Sequence, residues 1–140
     1  MIDAEWLVLR EVGEELESEE ALALLRRWDS DISPGPPNGA RIFYLAEFAG
    51  DAVPAAAAVV APISAGIMRI VGAAVAPAAR GRGVGRRLFA QLFDVLRAEG
   101  HRQVVASPPT RAAGRFLVTI GFRPVRKELS PEEGVYELEL

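Results

Sequence analysis

Seven short stretches of this chain are rich in apolar residues, either at every second position or in an unbroken run. These stretches cover residues 6–12, 41–49, 53–63, 67–75, 103–106, 122–129 and 135–140. Such runs are typical of half-buried and fully buried β-strands. Gly50-Asp51 between the second and third stretches predicts a hairpin turn. Gly72 inside the fourth indicates a bulge or the close approach of a ligand.

Three further stretches place apolar residues at helical spacing. The first has Ser18 as its predicted N-cap and Ala21, Leu22, Leu25 and Trp28 on its apolar face. The second has Val84, Leu88, Leu92, Val95 and Leu96 on that face and stops at Gly100. The third begins after Thr110 as N-cap, has Ala113, Phe116, Leu117 and Ile120 on that face, and stops at Gly121. Residues 29–40 have the composition of a loop.

The predicted elements follow in the order β-α-β-β-β-α-β-α-β-β. This order predicts an α/β protein with a mixed sheet and helices on its faces. The 140 residues are the length of one domain, residues 1–140, and half of them are apolar. A full hydrophobic core is therefore available.

Composition excludes several kinds of site. The chain has no cysteine, so disulfides, thiolate zinc sites and a cysteine nucleophile are excluded. The acidic N-terminus lacks the order of a signal peptide. The longest uncharged run, residues 52–68, contains two prolines and is too short to span a bilayer. We expect a cytoplasmic protein that does not enter a membrane.

Charge is segregated along the chain. The net charge is −3, but residues 1–66 carry −8, residues 67–127 carry +10, and residues 128–140 carry −5. A small polyanionic ligand bound by the middle third would explain this distribution. Nucleic acid usually requires a broader basic field and a basic total, so we expect no nucleic-acid partner.

The segment Arg80-Gly81-Arg82-Gly83-Val84-Gly85-Arg86-Arg87 carries the most specific chemistry. It follows a predicted strand and opens a predicted helix, whose first N–H groups and positive dipole end suit an anion. Glycines let the backbone approach a phosphate, and arginines add charge and paired donors. The pattern predicts a pyrophosphate site, although an arginine-rich surface turn that caps a helix is the alternative. It contains neither a Walker lysine nor the dinucleotide-binding fingerprint.

The spacing Arg80-x-x-Gly83-x-Gly85, preceded by Val75-x-Pro77, resembles the acyl-CoA motif of the GNAT superfamily of N-acetyltransferases. Downstream, Ala113, Phe116, Gly121 and Phe122 match a second GNAT pattern. The resemblance implies a GNAT fold with a mostly antiparallel sheet of about seven strands. It covers residues 41–125 well. The N-terminal third departs from the family, because residues 29–40 leave little room for a second helix before the second strand.

The resemblance also implies roles for individual residues. Main chain at Ala73 and Val75 would pair with the pantetheine arm of acetyl-CoA, and the Val75 N–H would polarise the thioester carbonyl. The pyrophosphate would lie on the segment Arg80, Gly81, Arg82, Gly83, Val84, Gly85 and Arg86. Thr110 would either bind the pantetheine or only cap its helix.

Proton transfer departs from the family pattern, because the usual tyrosine is Leu117 here and leucine cannot donate a proton. Ser107 is the nearest alternative, and a turn residue is its simpler interpretation. Four other titratable residues are weaker candidates, namely Glu47, Tyr44, Tyr136 and His101.

We therefore expect transfer of an acetyl group from acetyl-CoA to an amine by direct attack in a ternary complex, without a metal. The acceptor is not readable from the sequence. A non-catalytic module that senses acyl-CoA is the alternative, and a nucleic-acid binder is a distant third. A homodimer is also expected, because the shortened region after Trp28 would leave an apolar flank uncovered.

Overall fold

The computed structural model describes residues 7–13, 15–28, 41–50, 53–108, 110–125 and 135–140. Seven strands are present among them: β1 (Leu7–Val12), β2 (Ile42–Phe48), β3 (Pro54–Ser64), β4 (Ile67–Val75), β5 (Gln103–Ala106), β6 (Arg123–Pro124) and β7 (Tyr136–Glu139). The helices are α1 (Glu15–Arg27), α2 (Val84–Ala98) and α3 (Arg111–Thr119), with one 3-10 turn at Pro77–Ala79. None of these helices is both long enough and apolar enough to cross a membrane.

All seven strands form one mixed sheet in the order β1-β2-β3-β4-β5-β7-β6. Every neighbouring pair is antiparallel except β4 and β5, which run parallel. The sequence-based prediction of an α/β fold with about seven strands in a mostly antiparallel sheet is thus confirmed.

Alternation along the strands sends side chains to two separate hydrophobic clusters. Phe43 and Leu45 of β2 pack with α1 on one face, whereas Tyr44 and Ala46 pack with α2 and α3 on the other. The interior strand β3 is buried on both faces from Ala55 to Ala61, and five of these seven residues are alanine. The helices therefore cover both faces of the sheet.

Two details differ from or refine the predictions. The helix α1 begins at Glu15, so Ser18 lies inside its first turn and the prediction of Ser18 as N-cap is wrong. The prediction took the serine as the helix start and so missed the preceding residues. Acidic residues also stabilise the first turn of a helix, because they face its positive end. The predicted strand 122–129 is described only as Arg123–Pro124, and residues 29–40 and 126–134 lie outside the described residues.

The irregularity expected near Gly72 is present. Val59 pairs with Gly72, but the next residue, Val60, pairs with Ile70, so Val71 is an extra residue in β4. Such a bulge re-aims the strand and increases its local twist. It lies where β4 separates from β5.

Candidate active site

The sheet opens between β4 and β5. Their parallel pairing covers four positions and ends at Ile70 and Ala106. The strand β4 continues to Val75, whereas β5 stops and turns away through Ser107. Within the described chain, no strand pairs with the last part of β4 on that side.

Backbone groups of Ala73 and Val75 point into this opening. The Ala76 N–H donates to the Ala55 carbonyl over 2.8 Å, which makes those two residues a hydrogen-bonded pair of the antiparallel ladder. Because such pairs alternate with non-bonded ones, the Val75–Ala56 and Ala73–Ala58 pairs are non-bonded. The N–H and C=O groups of Ala73 and Val75 therefore face away from β3. This is the orientation that the pantetheine prediction requires.

A 3-10 turn and a glycine-containing loop connect β4 to α2. Gly81 and Gly83 have φ angles of 79° and 73°, and Gly83 is the N-cap of α2. The first helical hydrogen bond runs from the Arg87 N–H to the Gly83 carbonyl over 3.2 Å. The N–H groups from Gly81 to Arg86 donate to no acceptor in the part of the chain that the structure describes. Six backbone donors are thus available to an anion at the positive end of α2.

Gly85 lies where the N-terminus of α2 approaches the opening between β4 and β5. A Cβ built on Gly85 would be 3.4 Å from Cζ of Phe116 and 3.8 Å from Cγ2 of Val75. Both distances are those of ordinary van der Waals contact, so an alanine methyl group would fit there. Gly85 therefore lies against both β4 and α3.

Two of the three loop arginines 80, 82 and 86 contact the protein itself. The Arg80 side chain donates to the carbonyls of Val75 (3.2 Å) and Trp28 (3.1 Å). The Arg82 guanidinium lies 4.7 Å from the centre of the Phe48 ring. Arg86 is exposed and has no hydrogen bond or ion pair with any described residue.

Arg87 ends the segment predicted from the sequence, but no individual role was predicted for it. Its Nη2 donates to the Arg82 carbonyl over 2.6 Å, and its Nε lies 3.5 Å from the Gly83 carbonyl. Its position in the first turn of a helix that follows glycines was the available sequence signal. A long side chain at that position can fold back over the carbonyls of the loop.

Thr110 caps α3 as predicted, because its Oγ1 accepts from the Ala113 N–H over 3.1 Å. Its hydroxyl proton stays available for a second partner, so capping does not exclude contact with a ligand. Ser107 is exposed directly after β5, at the start of the opening.

The alternative proton donors lie elsewhere. Tyr136 is buried in the cluster beneath α2 and α3, together with Leu117, which stands at the usual tyrosine position and cannot donate. Glu47 is paired with Arg10 over 3.0 Å, and His101 lies 3.7 Å from Glu99, beyond the opposite end of α2. Tyr44 is buried, and burial, assisted by the charges of Glu99 and Glu11, raises the pKa of Tyr44 to about 12. Its hydroxyl has no hydrogen-bond partner among the described residues.

Among the described residues there is no group of three or more His, Cys, Asp or Glu side chains that could bind a metal ion.

Comparison with known proteins identifies related chains. A stretch of 53 residues is 45% identical to phosphinothricin N-acetyltransferase of Streptomyces coelicolor, over 36% of this chain and 31% of that protein. The chain thus matches about a third of the length of this curated relative.

Solved structures share the fold. N-acetylglutamate synthase from Neisseria gonorrhoeae, complexed with coenzyme A and N-acetyl-glutamate, superposes with a TM-score of 0.73 at 18% identity, over 99% of this chain and 36% of that one. An acetyltransferase from Bacillus subtilis in complex with CoA gives 0.69 at 17% identity, over 96% and 99%. The model of the acetyltransferase (GNAT) family matches residues 4–122, most of the chain. The chain therefore belongs to the GNAT acetyltransferase family.

Proposed function

We propose that this protein is an acetyl-CoA-dependent N-acetyltransferase that uses the opening between β4 and β5. One observation carries the proposal: the β4 backbone at Ala73 and Val75, which pairs with no described strand on the side of the opening, adjoins a loop whose six N–H groups donate to no described acceptor. The Val75 carbonyl accepts from the Arg80 side chain, so the Val75 N–H is the group left for the ligand. Acetyl-CoA has the matching parts, an amide-containing arm joined to a pyrophosphate.

The loop suits the pyrophosphate in both geometry and charge. The N–H groups from Gly81 to Arg86 and the positive end of α2 favour an anion, and the exposed Arg86 adds a guanidinium. A Cβ built on Gly83 meets no described atom within 4 Å, so space for a phosphate oxygen is present beside the backbone.

The chemistry is direct aminolysis of a thioester. The neutral amine attacks the carbonyl carbon, the carbon–sulfur bond breaks, and coenzyme A leaves as its thiolate. The Val75 N–H would stabilise the negative charge that develops on the carbonyl oxygen. The proton lost by the amine passes to solvent, directly or through Ser107. A thiol with a pKa near 8.5 is a good leaving group, so a strong general acid is not essential.

The acceptor would approach from the α1 side of the sheet. On the other face, α2 and α3 bury the region behind β4 and β5, including Met68 and Val104. On the α1 side, Gln103 and Val105 of β5 are only half-buried. The acceptor is an amine, in agreement with the N-acetyltransferase name of the curated relative.

The experiment is amine-dependent release of free thiol from acetyl-CoA, measured over a panel of amino acids, polyamines and peptide N-termini. Varying both substrates with an accepted amine should give intersecting double-reciprocal lines, as expected for a ternary complex. Parallel lines would contradict direct attack. Tight CoA binding without thiol release for any amine would favour the acyl-CoA-sensing alternative.

We further propose that residues 1–140 act as one domain, in the cytoplasm, and as a homodimer. The dimer follows from the short region after Trp28, which lies outside the described residues. Light scattering should give about twice the monomer mass of 15.1 kDa. A mass near 15.1 kDa would contradict the dimer.

A further inference from the structure

We infer that Arg87 is a positioning residue that fixes the Gly83 N–H in the orientation used for phosphate binding. The inference rests on the proposed function, because the ligand is the pyrophosphate of CoA. It concerns a residue that does not itself need to touch the ligand.

The contact that carries the inference is short and directional. Nη2 of Arg87 donates to the Arg82 carbonyl over 2.6 Å. In a trans peptide the carbonyl and the following N–H point in opposite directions. Since the Arg82 carbonyl points at the Arg87 guanidinium, the Gly83 N–H points away from it, and with no described acceptor it stays available to an anion.

The peptide between Arg82 and Gly83 needs such a restraint. Gly83 has a φ of 73°, and glycine adopts positive and negative φ about equally well. A rotation of this peptide would exchange the directions of the Arg82 carbonyl and the Gly83 N–H. It would place a carbonyl oxygen where a phosphate should bind.

The neighbouring peptide is fixed by other means. The Gly83 carbonyl accepts the Arg87 backbone N–H over 3.2 Å as the first hydrogen bond of α2. The Val84 N–H is therefore held by this helical bond, to which Arg87 Nε adds a longer contact of 3.5 Å with the same carbonyl. The preceding peptide has no helical hydrogen bond, so removal of the guanidinium should affect the Gly83 N–H more than the Val84 N–H.

Two variants distinguish this positioning role from a general effect of positive charge on CoA binding. Arg87→Met retains the aliphatic stem and removes the donors, and Arg97→Met removes one positive charge near the other end of the same helix. Arg97 is exposed and pairs only with Asp94 among the described residues, at 3.0 Å. Two quantities are measured: residual dipolar couplings of the Gly83 N–H in the free protein, and CoA affinity by calorimetry.

We expect Arg87→Met to change the Gly83 N–H orientation before any ligand is added and to weaken CoA binding about tenfold. Arg97→Met should change neither quantity. An unchanged Gly83 N–H orientation in Arg87→Met, an unchanged CoA affinity, or an equal loss of affinity in Arg97→Met would each overturn the inference. Should Arg87→Met fail to fold, Arg87→Gln, whose shorter side chain falls short of the carbonyl, replaces it.

Failure of the proposed function gives a different result. In that case the unchanged protein does not bind CoA at all, whatever the Arg87 variants do. If only the Arg87 inference is wrong, the unchanged protein still binds CoA normally.

Discussion

The Tyr44 hydroxyl lies in the core without a hydrogen-bond partner in the described part of the chain. A buried unsatisfied hydroxyl costs free energy, and burial also opposes ionisation of the phenol. The pKa of Tyr44 is accordingly raised to about 12. This residue therefore opposes stability in two ways, and both can be measured.

Tyr44→Phe should raise the free energy of unfolding by about 1 kcal/mol at neutral pH, because the unsatisfied hydroxyl is removed. Below pH 10 the tyrosine is protonated in both the folded and the unfolded state. Between pH 10 and about 12 the unfolded state loses the proton first, so the wild-type protein loses roughly 2 kcal/mol more than Tyr44→Phe. Urea unfolding at pH 7, 10 and 12 checks both effects. A constant difference across this range would contradict the raised pKa.

We expect Leu117 to influence the pH dependence of the proposed reaction. Leucine occupies the usual tyrosine position, and the two described tyrosines, Tyr44 and Tyr136, are both buried in the core. The rate should therefore rise with pH as the acceptor amine loses its proton and then level off. A falling limb near pH 9–10 that Tyr136→Phe removes would contradict this expectation.

Some residue roles were readable from sequence and others were not. Thr110 as a cap follows from local spacing alone. The partners of Arg80, Arg82 and Arg87 were not predictable, because the carbonyls and the ring that they contact are positioned by glycine φ angles and by strands distant in the chain. Sequence spacing does not fix such positions.

Among the elements, the edge strand β1 is secured to α2 by one side chain. Nε2 of Gln91 donates to the Leu7 carbonyl over 2.6 Å, and its Oε1 accepts from the Leu9 N–H over 3.0 Å. The amide thus occupies the free edge of β1 in the way that a neighbouring strand would. It also protects that edge from pairing with another chain.

Gln91→Leu should lower the free energy of unfolding by about 1–2 kcal/mol, because two partly buried backbone groups lose their partner. CoA affinity should not change, since Gln91 is two turns from the start of α2. Urea unfolding and calorimetry measure the two quantities, with Gln91→Glu as the control that retains only the acceptor oxygen. Unchanged stability of Gln91→Leu would show that the contact is not stabilising.

Element order and helix faces were predictable because apolar periodicity and glycine stops are local signals. The opening between β4 and β5 was not derivable from the pattern alone. It depends on where the parallel pairing ends at Ala106 and on the bulge at Val71, and both are properties of strand register.

At the scale of the molecule, the charge segregation seen in the sequence agrees with a basic loop at one end of α2. The loop arginines 80, 82 and 86 are exposed, so solvent ions can screen them. Raising the ionic strength from about 0.05 M to about 0.5 M should weaken CoA binding several-fold. Calorimetry at both ionic strengths tests this; affinity that is independent of salt would show that backbone donors alone hold the pyrophosphate.

The central claim is that the loop from Gly81 to Arg86 binds the pyrophosphate of CoA. Gly83 and Gly50 offer a matched pair for its test, because their φ angles are 73° and 82° and a Cβ on either meets no described atom within 4 Å. Valine imposes similar backbone strain at both positions, but only at Gly83 does it fill the proposed phosphate site.

The most direct measurement is a calorimetric titration of CoA into the wild-type protein, Gly83→Val and Gly50→Val, with folding of each verified by circular dichroism. We predict that Gly83→Val abolishes CoA binding while Gly50→Val binds CoA as the wild type does. Unchanged CoA affinity in a folded Gly83→Val protein would contradict the pyrophosphate site and, with it, the proposed active site between β4 and β5.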